Sequence, residues 1–555
     1  MDRTMIKGFP STSGDDFQLN TITMLRHAAN FFPDTQIVDR NLDGSLFRYN
    51  YKAAYERVKK LANALENLGI RPGDRVGVLE WNTRFFYELY FAVSGMGAVL
   101  VQINPRISMT DRAYVINHSG ACFLFVTELM CPLIEPIAAK LDQVKGYCII
   151  SEKPVDQVPT SLSPRRGYEE ILSSAPGGRE WAMIDETSAY GACYTSGTTG
   201  KPKGVYYSHR AMYMHTMVAV AGLQVGLRDV IMQMVPMFHC HGWGFFFIAT
   251  MTGTKLVFPG VYTAETTNIL VDLMISEKVT VTGGAPAIFL PMLEYIRTLP
   301  EKPDFTGLRM FSGATEPSLD LMRGFWDLGK AEIIHAYGAT EATPVVTANL
   351  MKPELASLPM DAQWEHKKKQ GLPMAGLDFR VVDENGEAVP RDGKTIGEIL
   401  VRGPWITRSY YNDQRNEEAF ENGFWRSGDG GTLDENGYLK ISDRFKDLIK
   451  SGGEWISSID LENELMCHKD VLEAAVVGIE HPKWEERPLA LVVLHKWVKT
   501  EPDKIKDGLY GHLAEKFAKW QFPDEILFVD EIPKTSVGKF YKQEIRKAYG
   551  QFYMS

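Results

Sequence analysis

The chain has 555 residues, a formal net charge of −10 at pH 7 and a pI near 5.7. Its length exceeds what one hydrophobic core supports, so at least two domains are expected, and its acidity excludes strong electrostatic attraction to nucleic acid or anionic lipid. Hydrophobic residues at 45% and charged residues at 23% are ordinary for globular domains and argue against disorder.

Cysteine usage and the N-terminal sequence indicate where the protein works. The six cysteines include no CxxC pair, which is neither a zinc pattern nor a disulfide framework, so a reducing compartment is expected. The first residues lack an apolar stretch of signal-peptide length, and no segment has the roughly 18 apolar residues that span a bilayer. We expect a cytoplasmic protein without a transmembrane segment; the sequence leaves peripheral membrane contact and assembly into a homo-oligomer open.

The first 150 residues alternate between helical and strand patterns. Apolar residues at helical spacing predict a helix over 51–68, with Gly69 as its left-handed cap. Further along, strands are predicted at 74–82, 98–103, 122–127 and 147–151, and helices at 84–93, 110–117 and 129–141. Such alternation predicts a parallel sheet covered by helices on both faces.

The remainder of the chain predicts three more structural regions. Another α/β series covers about 188–350, and short strands with Asn-Gly or Asp-Gly steps predict a small β subdomain over 371–442. A new α/β pattern follows Asp443. The predicted fold class is therefore α/β, with a large N-terminal domain (1–443) of two α/β subdomains plus a small β subdomain, and a small α+β C-terminal domain (444–555).

A loop rich in glycine and threonine, residues 194–204, follows a predicted strand and reads YTSGTTGKPKG. Its glycines let the backbone turn tightly and point N–H groups into one concavity, its hydroxyls add donors, and Lys201 and Lys203 add positive charge. We expect it to bind the phosphates of a nucleotide. A solvated hairpin is the alternative, whereas the P-loop NTPase motif is excluded because the glycines are too close together and proline follows the first lysine.

The whole run resembles the phosphate loop of the adenylate-forming superfamily, which contains acyl-CoA synthetases, peptide-synthetase adenylation domains and luciferases. Other signatures of that superfamily follow in the same order over roughly residues 50–545, so the resemblance covers nearly the whole chain. The resemblance implies ATP binding by Thr195, Ser196, Gly197, Thr198, Thr199, Gly200 and Lys201.

The segment AYGATEAT, residues 336–343, resembles the second core motif of the superfamily. The resemblance implies that Tyr337, beside Gly338, stacks on adenine, that Thr340 contacts the α-phosphate, and that Glu341 holds Mg²⁺. Substitution at phosphorus needs a hard cation, and Mg²⁺ is usually held by one or two carboxylates plus phosphate oxygens.

Two further motifs imply contacts to the adenine base and to the ribose. Gly313 and Ala314 stand where the superfamily places a turn beside the base, and Asp429 stands where a carboxylate accepts bonds from both ribose hydroxyls. Arg444 would contact ribose or phosphate, and Lys446 occupies the hinge position.

The last motif, PKTSVGK, ends at Lys539, which the resemblance places on the substrate carboxylate and the α-phosphate. The superfamily swings its small, mobile C-terminal domain about the hinge after adenylation, which removes this lysine and admits the thiol. In that second orientation Ser451, Gly452 and Gly453 would lie against coenzyme A, because small residues permit close approach.

An apolar segment, 235–247, resembles the wall of the acyl pocket, with His239 where access to the carboxylate is gated. Helix entry is the alternative role for this histidine. Aromatic residues there and small residues on the facing wall predict a hydrophobic acyl chain. The expected pocket residues are His239, Trp243, Phe245, Gly284 and Ala285.

The combined motifs predict an AMP-forming acid–thiol ligase of lipid metabolism that uses ATP, Mg²⁺ and coenzyme A. Segments at 453–463, 481–493 and 517–539 resemble the medium-chain fatty acyl-CoA synthetase branch, so a medium-chain fatty acid is the expected substrate. A ligase for a short, branched, sulfur-containing or aryl acid is an alternative. An enzyme that loads a carrier protein, a luciferase-like oxygenase and a degenerate nucleotide-binding regulator are others.

Overall fold

A computed structural model describes residues 6–14, 16–195, 201–444, 447–451, 454–499, 501–534 and 540–554. The fold class is α/β, with a large N-terminal part and a smaller C-terminal part, as predicted. The chain forms two compact units: unit one comprises Met1–Asp378 and Val401–Trp425, and unit two comprises Phe379–Leu400 and Arg426–Ser555.

Unit one contains two sheets built mainly of parallel strands. In order across the first sheet, the strands are Leu372–Pro373, Val345–Ala348, Glu332–Gly338, Arg309–Ser312, Val281–Gly284, Val230–Met232, Lys255–Phe258, Gln36–Arg40 and Leu46–Asn50. Across the second they are Arg165–Gly167, Tyr147–Ile150, Ala121–Thr127, Arg75–Leu79, Val99–Gln102, Ala189–Thr195 and Lys203–Ser208. The last strand of the second sheet is antiparallel to its neighbour, so the two strands that flank the predicted phosphate loop form a hairpin.

Helices pack against these sheets over apolar cores. The α-helices of unit one are Ile22–Phe31, Tyr51–Asn67, Arg84–Gly95, Met109–Ser119, Cys131–Ile134, Tyr168–Ser174, His209–Gly222, Phe245–Thr252, Asn268–Glu277, Pro286–Thr298, Leu319–Gly329, Pro353–Ala356, Met360–Lys367 and Asn416–Ala419. Short 3₁₀ helices lie at Glu128–Met130, Glu135–Lys140, Val155–Gln157, Ala264–Thr266 and Thr340–Ala342, and a left-handed turn lies at Cys240–Gly244.

Unit two holds most of an antiparallel sheet and all of a mixed one. The strands of the antiparallel sheet are Asp378–Val382, Gly397–Arg402, Phe424–Leu433, Phe420–Glu421 and Leu439–Arg444. Of their residues, 378, 401–402, 420–421 and 424–425 belong to unit one. The strands of the mixed sheet are Glu454–Ile456, Ile449–Ser451, Glu485–Leu494, Val471–His481 and Glu525–Phe528. The helices are Ser458–Cys467, Pro502–Leu513 and Lys542–Tyr549, with a 3₁₀ turn at Lys519–Gln521.

Local sequence explains both the agreement with the predicted elements and one departure from them. The helix Tyr51–Asn67 begins where the Asn50 side chain accepts the Ala53 N–H, and it stops just before Gly69, whose φ is +88°. The helix predicted at 129–141 is instead a short α-helix followed by 3₁₀ turns. Pro136 lacks an N–H and interrupts the α-helical hydrogen bonding there.

Hydropathy of the described helices bears on membrane insertion. None of them is both long enough and apolar enough to cross a bilayer.

Candidate functional site

Three neighbouring parallel strands of unit one end at the same edge of the sheet: Val281–Gly284, Arg309–Ser312 and Glu332–Gly338. Open α/β sheets bind ligands outside the carboxyl ends of their strands. The sequence-predicted residues at these ends are Gly284, Ala285, Gly313, Ala314, Tyr337, Gly338, Thr340 and Glu341. The structure therefore brings to one edge residues that are up to 57 positions apart, from Gly284 to Glu341.

Close packing at this edge depends on small residues. A Cβ at Gly313 would lie 2.9 Å from the Trp243 ring, and a Cβ at Gly338 would lie 2.5 Å from the Pro344 carbonyl oxygen. Ala314 has a φ of +71°, a left-handed conformation that costs a non-glycine residue about 1–2 kcal/mol. Such strain is typical of functional sites.

The predicted phosphate loop is described only at its two ends, because residues 196–200 lie outside the described part of the chain. Thr195 pairs with Lys203 across the hairpin. The Thr195 hydroxyl is buried and, within the described residues, has no hydrogen-bond partner, so it suits a ligand that accepts a hydrogen bond. Lys201 is exposed, with its Nζ 5.0 Å from the centre of the Tyr114 ring.

Aromatic residues hold the base of this loop. The Tyr194 hydroxyl lies 2.9 Å from Nδ1 of His118. A Cβ at Gly204 would lie 2.8 Å from the Tyr194 ring. The role of this glycine is therefore to let the second strand lie close to the ring, and not to form a tight turn.

Glu341 lies in a single 3₁₀ turn after its strand and is only 8% exposed. Its Oε1 accepts a hydrogen bond of 2.6 Å from the Tyr410 hydroxyl, and the same oxygen lies 3.9 Å from Nζ of Lys203. Burial, together with the adjacent Glu341 carboxylate, raises the pKa of Tyr410 well above its usual range, so the hydroxyl stays a donor. The hairpin and the Glu341 turn, far apart in sequence, thus meet.

These groups fit an Mg²⁺ ion that arrives with ATP. No described cluster of three or more histidine, cysteine or acidic residues could hold a metal ion alone. A buried single carboxylate suits a cation whose other ligands are phosphate oxygens and water. Beside Glu341, the Thr340 carbonyl is fixed by a 2.7 Å bond from the Tyr207 hydroxyl.

The predicted wall of the acyl pocket is a left-handed turn, Cys240–Gly244, which follows the half-buried His239. From the first residue of the turn to the last, φ lies between +47° and +78°. Buried His241 anchors the turn. Its N–H donates to Oε1 of Gln102 (3.0 Å), and its Nδ1 lies 2.8 Å from Nε2 of Gln102 and 3.0 Å from the Tyr190 hydroxyl.

The predicted pocket residues differ in exposure. Phe245 is 2% exposed, and its ring packs against Gly283. A Cβ on this glycine would lie 2.4 Å from the ring. Gly284 is also buried and leaves room for Phe289, whose ring would lie 2.9 Å from a Cβ on that glycine. Trp243 and Ala285 are half-buried.

Two residues predicted to contact ribose are cross-strand neighbours in unit two. The backbones of Asp429 and Arg444 pair in adjacent antiparallel strands. The Asp429 N–H donates to the Ser427 hydroxyl at 3.0 Å, and that hydroxyl donates to the Ile399 carbonyl at 2.8 Å. The Arg444 side chain lies outside the described part of the structure.

The other predicted residues of unit two are only partly described. Ser451 is buried, and its hydroxyl accepts a 2.9 Å bond from Arg487, which also pairs with Asp524. Lys534 and Phe540 form a β-bridge on either side of the segment that contains Lys539. The remaining predicted residues, Lys446, Gly452, Gly453 and Lys539, lie outside the described residues.

Sequence reasoning missed four residues that shape these sites: Gln102, His241, Tyr410 and Arg487. Each acts through a contact with a residue distant in sequence, 36 to 139 positions away. The segment RSYYND around Tyr410 contains no turn or charge pattern that distinguishes it. Only knowledge of the tertiary contacts could have identified it.

Comparison with known proteins gives a family match over most of the chain. Residues 25–411 match the family model described as AMP-binding enzyme, and residues 460–539 match the one described as AMP-binding enzyme C-terminal domain.

Curated relatives of full length are similar to the chain. A long-chain-fatty-acid–CoA ligase of Thermus thermophilus is 41% identical over 560 residues, covering 100% of this chain and 99% of the relative. A medium-chain-fatty-acid–CoA ligase of Ectopseudomonas oleovorans is 34% identical over 539 residues, covering 96% of each.

Solved structures share the fold. The crystal structure of the anthranilate CoA ligase AuaEII in complex with anthranoyl-AMP superposes with a TM-score of 0.84. It is 24% identical and covers 97% of this chain and 99% of that one, so it bears on the fold alone.

Proposed function

The chain belongs to the AMP-binding enzyme family, and on that premise we propose that it activates a medium-chain fatty acid at the sheet edge that carries Glu341. It is an AMP-forming acyl-CoA synthetase that uses ATP, Mg²⁺ and coenzyme A. A carboxylic acid and ATP give an acyl-adenylate and pyrophosphate, and the thiol of coenzyme A then takes the acyl group and releases AMP.

The proposed adenylation residues are those that the superfamily motifs identify. The loop 195–201 holds the β- and γ-phosphates, Tyr337 stacks on adenine, Thr340 contacts the α-phosphate and Glu341 binds the Mg²⁺ of MgATP. The observation that carries this proposal is the meeting of the hairpin and Glu341, with Lys203 Nζ 3.9 Å from the carboxylate. Since the nucleophile is already an anion, positioning and charge neutralisation supply most of the rate enhancement.

The remaining roles are proposed for residues of both units. Asp429 and Arg444 bind ribose, which their cross-strand pairing supports. Lys539 brings the substrate carboxylate to the α-phosphate, and residues 451–453 contact coenzyme A after the domain 444–555 swings about Lys446. His239 gates the carboxylate end of the acyl pocket.

We also propose which acid is the substrate and in which compartment the protein works. Apolar residues at 243–247 and the names of the fatty-acid relatives support a fatty acid, and the branch-like segments favour medium chain length. The six cysteines, which include no CxxC pair, support a reducing compartment such as the cytoplasm.

A panel of acids from C2 to C16 together with aryl acids tests the substrate. We expect AMP and pyrophosphate in equal amounts, dependent on coenzyme A, with the highest kcat/KM for a medium-chain acid. The highest kcat/KM for a short, sulfur-containing or aryl acid would overturn the acid class but not the chemistry. Release of ADP in place of pyrophosphate would overturn the chemistry, and AMP release only with a carrier protein in place of coenzyme A would favour a loading enzyme.

A further inference from the structure

A short segment of unit one, residues 407–416, touches both the end of the phosphate loop and Glu341; we name it the brace segment. The Thr407 N–H donates to the Glu341 carbonyl at 2.8 Å, and the Tyr411 N–H donates to the Gly204 carbonyl at 2.8 Å. Arg415 donates to the Lys201 carbonyl at 3.0 Å. These three hydrogen bonds fix the loop end and the Glu341 turn to one element.

Tyr410 lies at the centre of the brace segment and is 3% exposed. Its N–H donates to Oδ1 of Asn416 at 2.6 Å, its carbonyl accepts a 3.1 Å bond from the same side chain, and its ring packs 5.2 Å from that of Phe420. The position of the hydroxyl is therefore fixed before any ligand arrives.

The Tyr410 hydroxyl stands between opposite charges. It accepts a 3.0 Å hydrogen bond from Nζ of Lys203 and donates a 2.6 Å bond to Oε1 of Glu341. The two charged atoms remain 3.9 Å apart, too far for a direct hydrogen bond. Among the described residues, none donates to Oε2 of Glu341.

This geometry has a consequence for metal binding. A carboxylate in direct contact with an ammonium group is largely neutralised and is a poorer ligand for a cation, whereas a hydroxyl bridge orients the carboxylate and leaves its charge in place. An oriented ligand also loses less conformational freedom when the metal binds.

We propose that Tyr410 is a positioning residue that separates Lys203 from Glu341 and orients Oε2 toward the Mg²⁺ of MgATP. The inference rests on the proposed role of Glu341 as the Mg²⁺ ligand. Without the hydroxyl, Lys203 closes onto the carboxylate and competes with the metal.

Equilibrium dialysis of ATP with the full-length Tyr410→Phe variant tests this, in excess Mg²⁺ and in EDTA. We expect the dissociation constant of MgATP to rise about tenfold, the effect of one hydrogen bond to a charged group, while that of metal-free ATP changes less than about twofold. The matched control is Tyr295→Phe, which removes a tyrosine–carboxylate bond to Asp272 at 3.1 Å elsewhere in unit one and should change neither constant.

A double variant separates positioning from a general structural effect. Because Tyr410 acts through Glu341, Tyr410→Phe should add no further loss of MgATP affinity in a Glu341→Gln background. Additive losses, equal weakening of MgATP and metal-free ATP, or unchanged MgATP binding would each overturn the proposal. Failure of the proposed function would look different from failure of the proposal about Tyr410. In that case the wild-type enzyme would bind MgATP normally but release no pyrophosphate with any acid of the panel.

Discussion

Glu80 is a buried carboxyl group with no role in the proposed reaction. Its Oε1 accepts a 2.7 Å bond from the Trp81 N–H, while its Oε2 is buried without a partner among the described residues. It lines a small cavity of about 30 Å³ that Asp39 and Arg84 also line. The pKa of Glu80 is raised to about 8, mainly by burial and to a smaller extent by the neighbouring Asp39.

The raised pKa predicts that Glu80 destabilises the fold at neutral and alkaline pH. Well below pH 4.5, the carboxyl is protonated in both the folded and the unfolded chain. Between about pH 4.5 and 8 the unfolded chain loses the proton that the native state keeps, so stability falls as pH rises. Glu80→Gln, which cannot ionise, should therefore melt several degrees above the wild type at pH 8 and within about 2 °C of it at pH 5.

Glu88 provides a control substitution that should lower the melting temperature instead of raising it. This buried carboxylate accepts a 2.7 Å bond from Arg57 and a 2.8 Å bond from Tyr168. Glu88→Gln leaves a largely buried guanidinium with a weaker partner, so it should lower the melting temperature at both pH values. Equal melting temperatures of wild type and Glu80→Gln at pH 8 would refute the expectation for Glu80.

At the scale of single elements, the turn Cys240–Gly244 stores backbone strain that its contacts must offset. Non-glycine residues in the left-handed region cost about 1–2 kcal/mol each, and Cys240, His241 and Trp243 all lie there. Burial lowers the pKa of His241 well below its usual range, so the ring is neutral. Its Nδ1 accepts a hydrogen bond because Nε2 of Gln102 can only donate. Gln102 supplies both a donor and an acceptor to this residue.

Removing Gln102 should therefore release the turn. Gln102→Met keeps the length of the side chain but leaves the His241 N–H and Nδ1 with fewer partners, and we expect unit one to lose about 2–4 kcal/mol of unfolding free energy. Urea unfolding followed by tryptophan fluorescence measures this. Gln143→Met, at an exposed position, should change it by less than about 0.5 kcal/mol. Equal effects of the two substitutions would show that the turn does not depend on Gln102.

The sequence predicts elements that neighbouring residues determine, but it does not predict those that depend on contacts between residues distant in the chain. The helix Tyr51–Asn67 follows from apolar spacing and Gly69, and the glycine of each predicted Asn-Gly or Asp-Gly step has a positive φ, as at Gly386 and Gly437. The left-handed turn at Cys240–Gly244 has one central glycine and no pattern that predicts it. Tyr410 likewise gains its place only when the brace segment packs beside the hairpin.

At the scale of the whole molecule, the two compact units do not begin and end where the sequence places its domains. Residues 426–443, predicted to belong to the large domain, cluster with the C-terminal residues in unit two. Contacts cross the predicted boundary within that unit; among them, Lys440 pairs with Asp460 at 2.8 Å, and the Ser457 hydroxyl donates to the Ser442 carbonyl at 2.7 Å. A partly exposed ion pair contributes only about 0–1 kcal/mol, so breaking the Lys440–Asp460 pair costs little.

The hinge at Lys446 therefore remains a prediction, and proline substitution tests it. Proline fixes φ near −65°, so Lys446→Pro should hold the C-terminal domain in the orientation that makes the adenylate. We expect acid-dependent ATP–pyrophosphate exchange within about threefold of wild type, and at least a hundredfold slower conversion of supplied acyl-adenylate to acyl-CoA. Lys446→Ala, which removes the side chain but leaves φ free, should retain both activities. Equal loss of the two half-reactions in Lys446→Pro would place the hinge elsewhere, and the strand crossings at 378/379, 400/401 and 425/426 between the compact units would be the next positions to substitute.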